Sequence, residues 1–137
     1  MTLGPPRLLL AAALGGAVGA LLRYLLGELV PDESGFPWTT FGINVVGSFL
    51  LALLPAIAVV RRRREVAVAL GPGLLGGFTT LSTYAEQGRG LLADGDPALA
   101  GTYLIGTLFA CLAAVLLATH WVPAGVQDEF AAEGGDE

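Results

Sequence analysis

The most restrictive feature of this sequence is its long stretches without a charged residue. Residues 36–60 and 98–122 hold twenty-five uncharged residues each, and residues 66–85 hold twenty. About 20 predominantly apolar residues cross the hydrocarbon core of a bilayer as a helix, so each stretch predicts a membrane span. A further apolar stretch, at about 8–26, contains Arg23 near its end. We therefore predict spans at about 8–28, 36–60, 66–89 and 98–122.

The composition favours a membrane protein over a water-soluble domain. Of the 137 residues, 54% are hydrophobic and 14% are charged, and the mean hydropathy is +0.69. An ordinary soluble domain is about 25% charged, so this chain has too few charges to cover a core in water. The connections between the stretches are too short for a soluble domain. We predict an all-α membrane protein in which residues 1–126 form a four-helix transmembrane subunit and residues 127–137 form a disordered acidic tail.

The first apolar stretch has two interpretations because Arg7 precedes it. A basic residue followed by a short apolar run is typical of a secretory signal peptide. Here the run continues through Gly15, Gly16, Gly19 and Leu22, beyond the usual cleavage point of such a peptide. We therefore expect a helix that the mature protein retains.

Rare residue types exclude several classes of site. The chain has one cysteine, Cys111, and one histidine, His120. One chain therefore cannot form an internal disulfide, a cysteine-based metal cluster, a histidine metal site or a Ser-His-Asp triad. All seven basic residues are arginines, so a phosphate-binding loop with its lysine is absent, and the formal net charge is −5. We expect neither an enzyme nor a nucleic-acid partner.

The arginines predict the orientation of the chain in the membrane. With four spans, Arg7 and Arg61–Arg64 lie on one face, and Arg89, together with Arg23 if it reaches the surface, lies on the other. Positive charge is enriched on the cytoplasmic side of membrane proteins. We expect a multi-pass protein of the cell (inner) membrane with both termini in the cytoplasm.

Two helical stripes of polar side chains lie within the predicted spans. The stripe on the second span consists of Thr40, Asn44 and Ser48. The stripe on the fourth span consists of Tyr103, Thr107 and Cys111. A polar group in hydrocarbon costs several kcal/mol unless it is satisfied, so such stripes line a pathway or hold helices together. Both interpretations stay open, although uncharged donors suit a small anion better than a cation.

The third predicted span combines helix breakers with hydroxyl groups. Residues 71–73 read Gly-Pro-Gly, and residues 76–84 read GGFTTLSTY. An interruption of the helix would expose backbone carbonyl groups, which lipid tolerates only where they line a cavity or bind an ion. We favour such an ion-binding interruption over a kinked helix whose hydroxyls satisfy their own turns.

Arg23 is unusual because it lies inside an apolar span. An arginine at that depth is usually functional or paired. Snorkelling to the nearby interface or pairing with Glu28 would explain it as well as a functional role does.

Three motifs in this order resemble the Fluc fluoride channels, the CrcB family. They are GGAVGALLRY at 15–24, GINVVGSF at 42–49 and GGFTTLSTY at 76–84. The resemblance covers about residues 8–122. It implies four-helix subunits that pair as an antiparallel dimer and export fluoride passively, with a structural sodium ion at the centre of the dimer interface.

The resemblance also implies roles for individual residues. The carbonyl groups of Gly76 and Thr79 match the sodium ligands. Asn44 matches the pore asparagine, and Ser82 and Thr83 match a hydroxyl pair beside the pore. Together with the polar stripes and Arg23, the expected fluoride pathway comprises Arg23, Thr40, Asn44, Ser48, Leu81, Ser82, Thr83, Tyr84, Tyr103, Thr107 and Cys111.

Two departures from the family pattern point to an unusual dimer. Leu81 and Tyr84 stand where the family usually has phenylalanines, whose ring edges face the ion. The arginine bias also conflicts with the dual insertion that an antiparallel homodimer requires. Both departures would be explained if the partner is a paralogous subunit rather than a second copy of this chain.

Two other function classes compete with the channel. A small multidrug exporter needs a carboxylate embedded in the membrane, and Glu86 lies too near the predicted interface to be convincing. A membrane scaffold that transports nothing would explain the small and polar stripes, but it would not explain the interrupted third span.

Overall fold

The computed structural model describes residues 5–32 and 35–126, and the acidic tail predicted at 127–137 lies outside the described residues. Within these ranges the secondary structure is helical, without a strand. Four helical segments are long and apolar enough to cross a membrane, which confirms the predicted all-α protein with four candidate spans. In chain order, these first to fourth spans are Pro6–Leu29, Trp38–Ala56, Arg64–Ala93 and Pro97–Thr119.

The spans differ in their regularity. The first and fourth are single helices, α1 (Pro6–Leu29) and α7 (Pro97–Thr119). The second is α2 (Trp38–Leu53) followed by a 3₁₀ turn, Leu54–Ala56, and a short helix, α3 (Ala58–Arg62), leads to the third. The third span consists of α4 (Arg64–Val68), a π-helical segment (Ala69–Leu75), α5 (Gly76–Phe78) and α6 (Leu81–Ala93).

The π-helical segment has Pro72 in its middle. Proline has no amide hydrogen and cannot donate the hydrogen bond that an α-helix requires there. A widened turn accommodates this local irregularity. At Gly73 a Cβ would lie 3.0 Å from the Val68 carbonyl oxygen and 3.1 Å from that of Ala12. The absence of a side chain at Gly73 therefore lets the widened turn lie against α1.

Between α5 and α6 the backbone leaves the helical conformation at two threonines. Thr79 has a ψ of 159°, and Thr80 has a φ of −147° and a ψ of 116°, which are extended values. The Thr80 side chain then caps α6, because its Oγ1 accepts a hydrogen bond from the Thr83 amide at 3.1 Å. Near the middle of the third span, the Thr79 amide still donates to the Leu75 carbonyl at 3.0 Å, whereas the Thr80 amide has left the helical hydrogen-bond ladder.

Glycines bring α1 into backbone contact with the third span. A Cβ at Gly15 would overlap the carbonyl oxygen of Ala69, and a Cβ at Gly19 would overlap that of Leu74. Small residues permit such close approach, and close van der Waals packing drives helix association in lipid. The glycine-rich motif of the first span therefore fixes α1 beside the irregular part of the third span. On the other side of the bundle, α2 and α6 pack against α7.

The outer surface of the bundle is apolar. Leu29 is 77% exposed, Leu116 is 67% exposed and Phe109 is 64% exposed. Water would not tolerate so large an apolar surface on a monomer, whereas lipid does. The fold is therefore that of a multi-pass membrane protein. Arg7 Nε lies 3.4 Å from Glu65 Oε1, so the start of α1 and the connection between the second and third spans are at the same end of the molecule.

Candidate functional site

The site is organised around two hydrogen bonds between the Asn44 side chain and the Thr80 backbone. Asn44 Nδ2 donates to the Thr80 carbonyl at 3.0 Å, and Asn44 Oδ1 accepts from the Thr80 amide at 2.8 Å. An amide side chain can make both bonds because it carries a donor and an acceptor on adjacent atoms. Asn44 therefore replaces the helical partners that the extended backbone of Thr80 lacks.

A first cavity, of about 260 Å³, lies between α2, α7 and the start of α6. Its lining combines hydroxyl, amide and thiol groups with apolar side chains. The polar lining residues are Asn44, Ser48, Thr79, Thr80, Tyr84, Thr107 and Cys111. The apolar ones are Leu51, Leu81 and Leu108. No carboxylate lines it, which is the environment that an anion prefers.

A second cavity, of about 370 Å³, lies nearer the end of the first span and contains Arg23. Its uncharged polar lining consists of Thr39, Thr40, Thr80, Thr83 and Gln87. Glu28 and Asp32 contribute carboxylates, and Tyr24, Gly27, Val30, Pro31 and Ile43 complete the wall. Thr80 lines both cavities, so the two adjoin at the residue that Asn44 holds.

Arg23 contacts the backbone of the third span. Its Nε donates to the Gly77 carbonyl at 3.3 Å, and the side chain is part-buried. No ion pair joins Arg23 to Glu28, both of which the structure describes, so the proposed pairing of these two residues is wrong. The reason is geometric: α1 packs against the third span, so the Arg23 side chain reaches the Gly77 carbonyl of that span rather than Glu28. Arg23 thus places a positive charge at the second cavity, beside the extended threonines.

The hydroxyl and amide groups of the first cavity differ in whether they are free. Within the described ranges, no hydrogen bond engages the Ser48 hydroxyl. The Asn44 amide has two N–H donors and the Thr80 carbonyl takes one, so the other is available to a ligand. The Thr107 hydroxyl instead donates to the Tyr103 carbonyl at 2.6 Å. Ser48 and Asn44 are therefore the free donors of this cavity.

Tyr84 lines the first cavity, but its hydroxyl is already engaged. The hydroxyl donates to the Leu104 carbonyl at 2.6 Å, across the interface between α6 and α7. The ring also contacts Tyr103, with centroids 5.3 Å apart. Because an aromatic ring carries positive potential at its edge, Tyr84 can still offer an electropositive edge to an anion.

Tyr103 supports the site without lining either cavity. It is completely buried, and its hydroxyl donates to Gln87 Oε1 at 2.9 Å. Gln87 Nε2 in turn donates to Asp32 Oδ2 at 3.4 Å, and the Thr39 amide donates to Asp32 Oδ1 at 2.9 Å. Tyr103 therefore orients Gln87, and these bonds partly compensate the Asp32 carboxylate in the second cavity.

The carbonyl groups of Gly76 and Thr79 have lost their usual donors. In a continuous α-helix they would accept from the amides of Thr80 and Thr83. The Thr80 amide donates to Asn44 instead, and the Thr83 amide donates to the Thr80 hydroxyl. Carbonyl oxygens freed in this way are suitable ligands for a hard cation. In the described part of the chain, no group of three or more His, Cys, Asp or Glu residues is placed to hold a metal ion.

Comparison with known proteins assigns the chain to a family. Residues 10–119 match the family model described as CrcB-like protein, Camphor Resistance (CrcB). This chain belongs to the CrcB family. The family expected from the three sequence motifs is thereby confirmed.

Several relatives of this CrcB chain are named as fluoride channels. It is 45% identical over 117 residues to the fluoride-specific ion channel FluC 2 of Nocardia farcinica, covering 83% of this chain and 84% of that one. It is 45% identical over 109 residues to FluC 1 of Streptomyces coelicolor, covering 77% and 71% respectively. It is 43% identical over 103 residues to the FluC of Thermus thermophilus, covering 73% and 82%.

The CrcB structure brings most of the predicted pathway residues together. The two cavities account for all of them except Ser82 and Tyr103. Ser82 is exposed, with its Oγ 3.3 Å from Thr80 Oγ1, and Tyr103 lies one layer behind the cavities. Thr80 is missing from the predicted pathway although it joins the cavities. A sequence signal could have identified it, because threonine is a favoured N-cap residue and Thr80 directly precedes the helix α6.

Proposed function

We propose that this CrcB chain is a subunit of a fluoride-selective ion channel. The observation that carries the proposal is the first cavity, which is lined by uncharged donors and no carboxylate and adjoins, at Thr80, a second cavity that contains Arg23. The relatives named as fluoride-specific ion channels support the same ion for this chain.

The geometry supports a sequence of contacts for the anion. In the second cavity Arg23 supplies the attracting positive charge, beside the carboxylates of Glu28 and Asp32. The Thr83 hydroxyl accepts a hydrogen bond from the Thr80 hydroxyl and keeps its own hydrogen, which replaces part of the water around the anion. Beyond Thr80, the free donors of Ser48 and Asn44 receive it in the first cavity. Uncharged donors can bind an anion and still release it, which conduction requires. The membrane potential, negative inside, drives an anion outward at about 2.3 kcal/mol per 100 mV, so export needs no other energy source.

A structural sodium ion fits the irregular part of the third span. We propose the Gly76 and Thr79 carbonyl groups as its ligands, since both have lost their helical donors. When bound, the ion would supply a positive charge to these carbonyl oxygens in place of the helical N–H donors that they have lost. The ligand set needs oxygens from a second subunit, because two carbonyl groups do not complete the coordination shell of a hard cation.

An antiparallel partner would complete the pathway. Leu81 lines the first cavity but is 78% exposed, so one wall of this space is open to whatever lies beside the subunit. The partner is a second copy or a paralogous subunit. A paralogue is favoured by the arginines, because Arg7 and Arg61–Arg64 gather at one end of the molecule and predict a single orientation with both termini in the cytoplasm.

The structure gives no support to Glu86 as the carboxylate of a multidrug exporter. Glu86 accepts two hydrogen bonds from Arg89, at 3.0 and 2.5 Å, and both side chains are about two-thirds exposed. A paired and exposed carboxylate does not serve proton exchange inside a membrane. Asn44 and Ser48 distinguish the channel from a scaffold, because only a channel needs their free donors.

The test is fluoride efflux from liposomes that contain the purified chain, alone and together with an oppositely oriented relative, with chloride as the control ion. We expect Asn44→Ile to abolish efflux and Ser48→Ala to lower it by about tenfold, since a hydrogen bond to a charged group is lost. Thr102→Ala is the matched control, because its hydroxyl donates to the Ala98 carbonyl of its own helix and lines neither cavity. Full efflux from folded Ser48→Ala and Asn44→Ile proteins would refute the pathway.

A further inference from the structure

A third cavity, of about 500 Å³, lies where the second span ends and the third begins. Its lining divides into two chemical types. The apolar part consists of Leu51, Leu54, Pro55, Val60 and Ala67. The charged part consists of Arg61, Arg62 and Arg64. We refer to it below as the arginine cavity.

The positive charge of the arginine cavity is not neutralised by a described acidic side chain. Over residues 5–32 and 35–126, neither ion pair involves these three arginines. Glu65 is the nearest acid in sequence, and it pairs with Arg7 at 3.4 Å. Arg61 Nη1 donates to the Pro55 carbonyl at 2.7 Å, which holds this guanidinium against the wall and leaves its other N–H groups for a ligand.

The two types of lining lie at different depths. Leu51 and Leu54 belong to the second span, whereas Arg61 and Arg62 end α3 in the connection between the spans. The guanidinium groups are therefore at the level of the lipid headgroups, and the leucines extend toward the hydrocarbon. Arginine matches the geometry of phosphate oxygens, and basic pockets at the ends of membrane helices suit anionic headgroups.

We propose that the arginine cavity binds an anionic phospholipid, with the headgroup phosphate on the arginines and the start of an acyl chain along Leu51 and Leu54. Orientation of the chain requires positive charge on one side, but it does not require that the arginines line a cavity. Arg63, in the same run of four, does not line it. Three of the four arginines thus line one cavity, which a connection that only carries positive charge would not require.

The experiment measures lipid binding to the full chain in a nonionic detergent by native mass spectrometry. Phosphatidylglycerol is the probe, phosphatidylcholine is the control lipid, and inorganic phosphate is the competitor. We expect the chain to retain phosphatidylglycerol in preference to phosphatidylcholine. Arg62→Gln and Arg64→Gln should each weaken retention by about fivefold, the effect of roughly 1 kcal/mol per arginine. Arg63→Gln removes the same charge from the same connection and should leave retention unchanged.

Three outcomes would overturn the proposal. Equal weakening by Arg63→Gln would show that the net charge of the connection, rather than the cavity, attracts the lipid. Unchanged retention in the Arg62→Gln/Arg64→Gln double variant would place the lipid elsewhere. Displacement of the lipid by inorganic phosphate at an equal concentration would show that the cavity binds a free anion and that the leucines contribute nothing. Each measurement reports binding alone, so none depends on whether the chain conducts fluoride.

Discussion

At the scale of single residues, the site depends on which polar groups are already satisfied. Asn44 gives one donor and its acceptor to the Thr80 backbone and keeps one N–H for a ligand. Ser48 keeps its hydroxyl, whereas Thr107 has given its own to the Tyr103 carbonyl. Two hydroxyl residues of the same cavity therefore differ: Ser48 is free to bind a ligand, whereas Thr107 is hydrogen-bonded to its own helix.

Tyr84 illustrates this distinction and yields a prediction. Because its hydroxyl donates to the Leu104 carbonyl, Tyr84→Phe removes a contact between α6 and α7 but keeps the aromatic ring of a residue that lines the first cavity. We expect this variant to lower the unfolding free energy by about 1 kcal/mol. Fluoride efflux from the conducting assembly should stay within about twofold of the parent, because the ring edge is unchanged. Tyr84→Leu, which removes the ring, should reduce efflux. A large loss of efflux in Tyr84→Phe would show that the hydroxyl contacts the ion.

Cys111 offers a second prediction because it is the single cysteine and lines the first cavity. Attachment of a negatively charged methanethiosulfonate group should block fluoride efflux, since it adds volume and a repelling charge to the pathway. Cys111→Ser keeps a small polar group at this place and should conduct without responding to the reagent. Unaltered efflux from fully labelled protein, verified by its mass, would place Cys111 outside the pathway.

At the scale of secondary-structure elements, the irregular third span is supported from both sides. On one side, Gly15 and Gly19 let α1 approach its backbone; on the other, Gly47 of α2 leaves room for the Thr79 methyl group. Irregular backbone in a membrane must be buried against protein or line a cavity. The glycines and the Asn44 amide meet this requirement together, so the interruption between α5 and α6 is part of the packing.

Gly19 and Gly27 form a matched pair for testing this packing. A Cβ at Gly19 would overlap the Leu74 carbonyl oxygen, whereas a Cβ at Gly27 meets no atom within 4 Å. Gly19→Ala should therefore lower the unfolding free energy by about 1–3 kcal/mol through overpacking. Gly27→Ala should leave it unchanged or raise it by up to about 1 kcal/mol, since alanine is the better helix former. Unfolding of both variants in detergent micelles measures the difference. Equal stability would contradict backbone contact between α1 and the third span.

At the scale of the whole molecule, charge and shape are both consistent with the antiparallel partner that we propose. The first cavity is open at Leu81, and the apolar surface is extensive. The arginines gather at one end, where Arg7 and the connection between the second and third spans come together. An oppositely oriented paralogue, as proposed, would account both for the single orientation that the arginines predict and for the open cavity wall.

A prediction about topology follows from this asymmetry. An epitope tag at the N-terminus should be accessible only from the cytoplasmic side, because the excess arginines retain that end inside. The purified chain alone should give little fluoride efflux, and co-reconstitution with an oppositely oriented relative should restore it. Tags exposed on both sides in equal numbers, with rapid efflux from the chain alone, would establish a homodimer instead.

Much of the architecture could be predicted from the sequence because it depends on local properties. Spans of uncharged residues are recognisable in any window of about 20 residues, since the bilayer sets one length for every helix that crosses it. Glycine and proline at residues 71–77 indicated an irregular third span for an equally local reason. Asn44, Ser48, Thr107 and Cys111 of the first cavity were also identifiable, because few polar side chains lie within the spans.

The hydrogen-bond partners of those residues were decided only by the tertiary structure. Asn44 and Thr80 are 36 residues apart, and only the approach of α2 to the third span brings the amide to the extended backbone. For the same reason, Arg23 meets the Gly77 carbonyl instead of Glu28, and Tyr103 lies behind the cavities on Gln87. The sequence by itself determined that this chain crosses a membrane with polar groups inside it. Packing between distant helices determined which of those groups stay free to bind an ion, since each donor can be used only once.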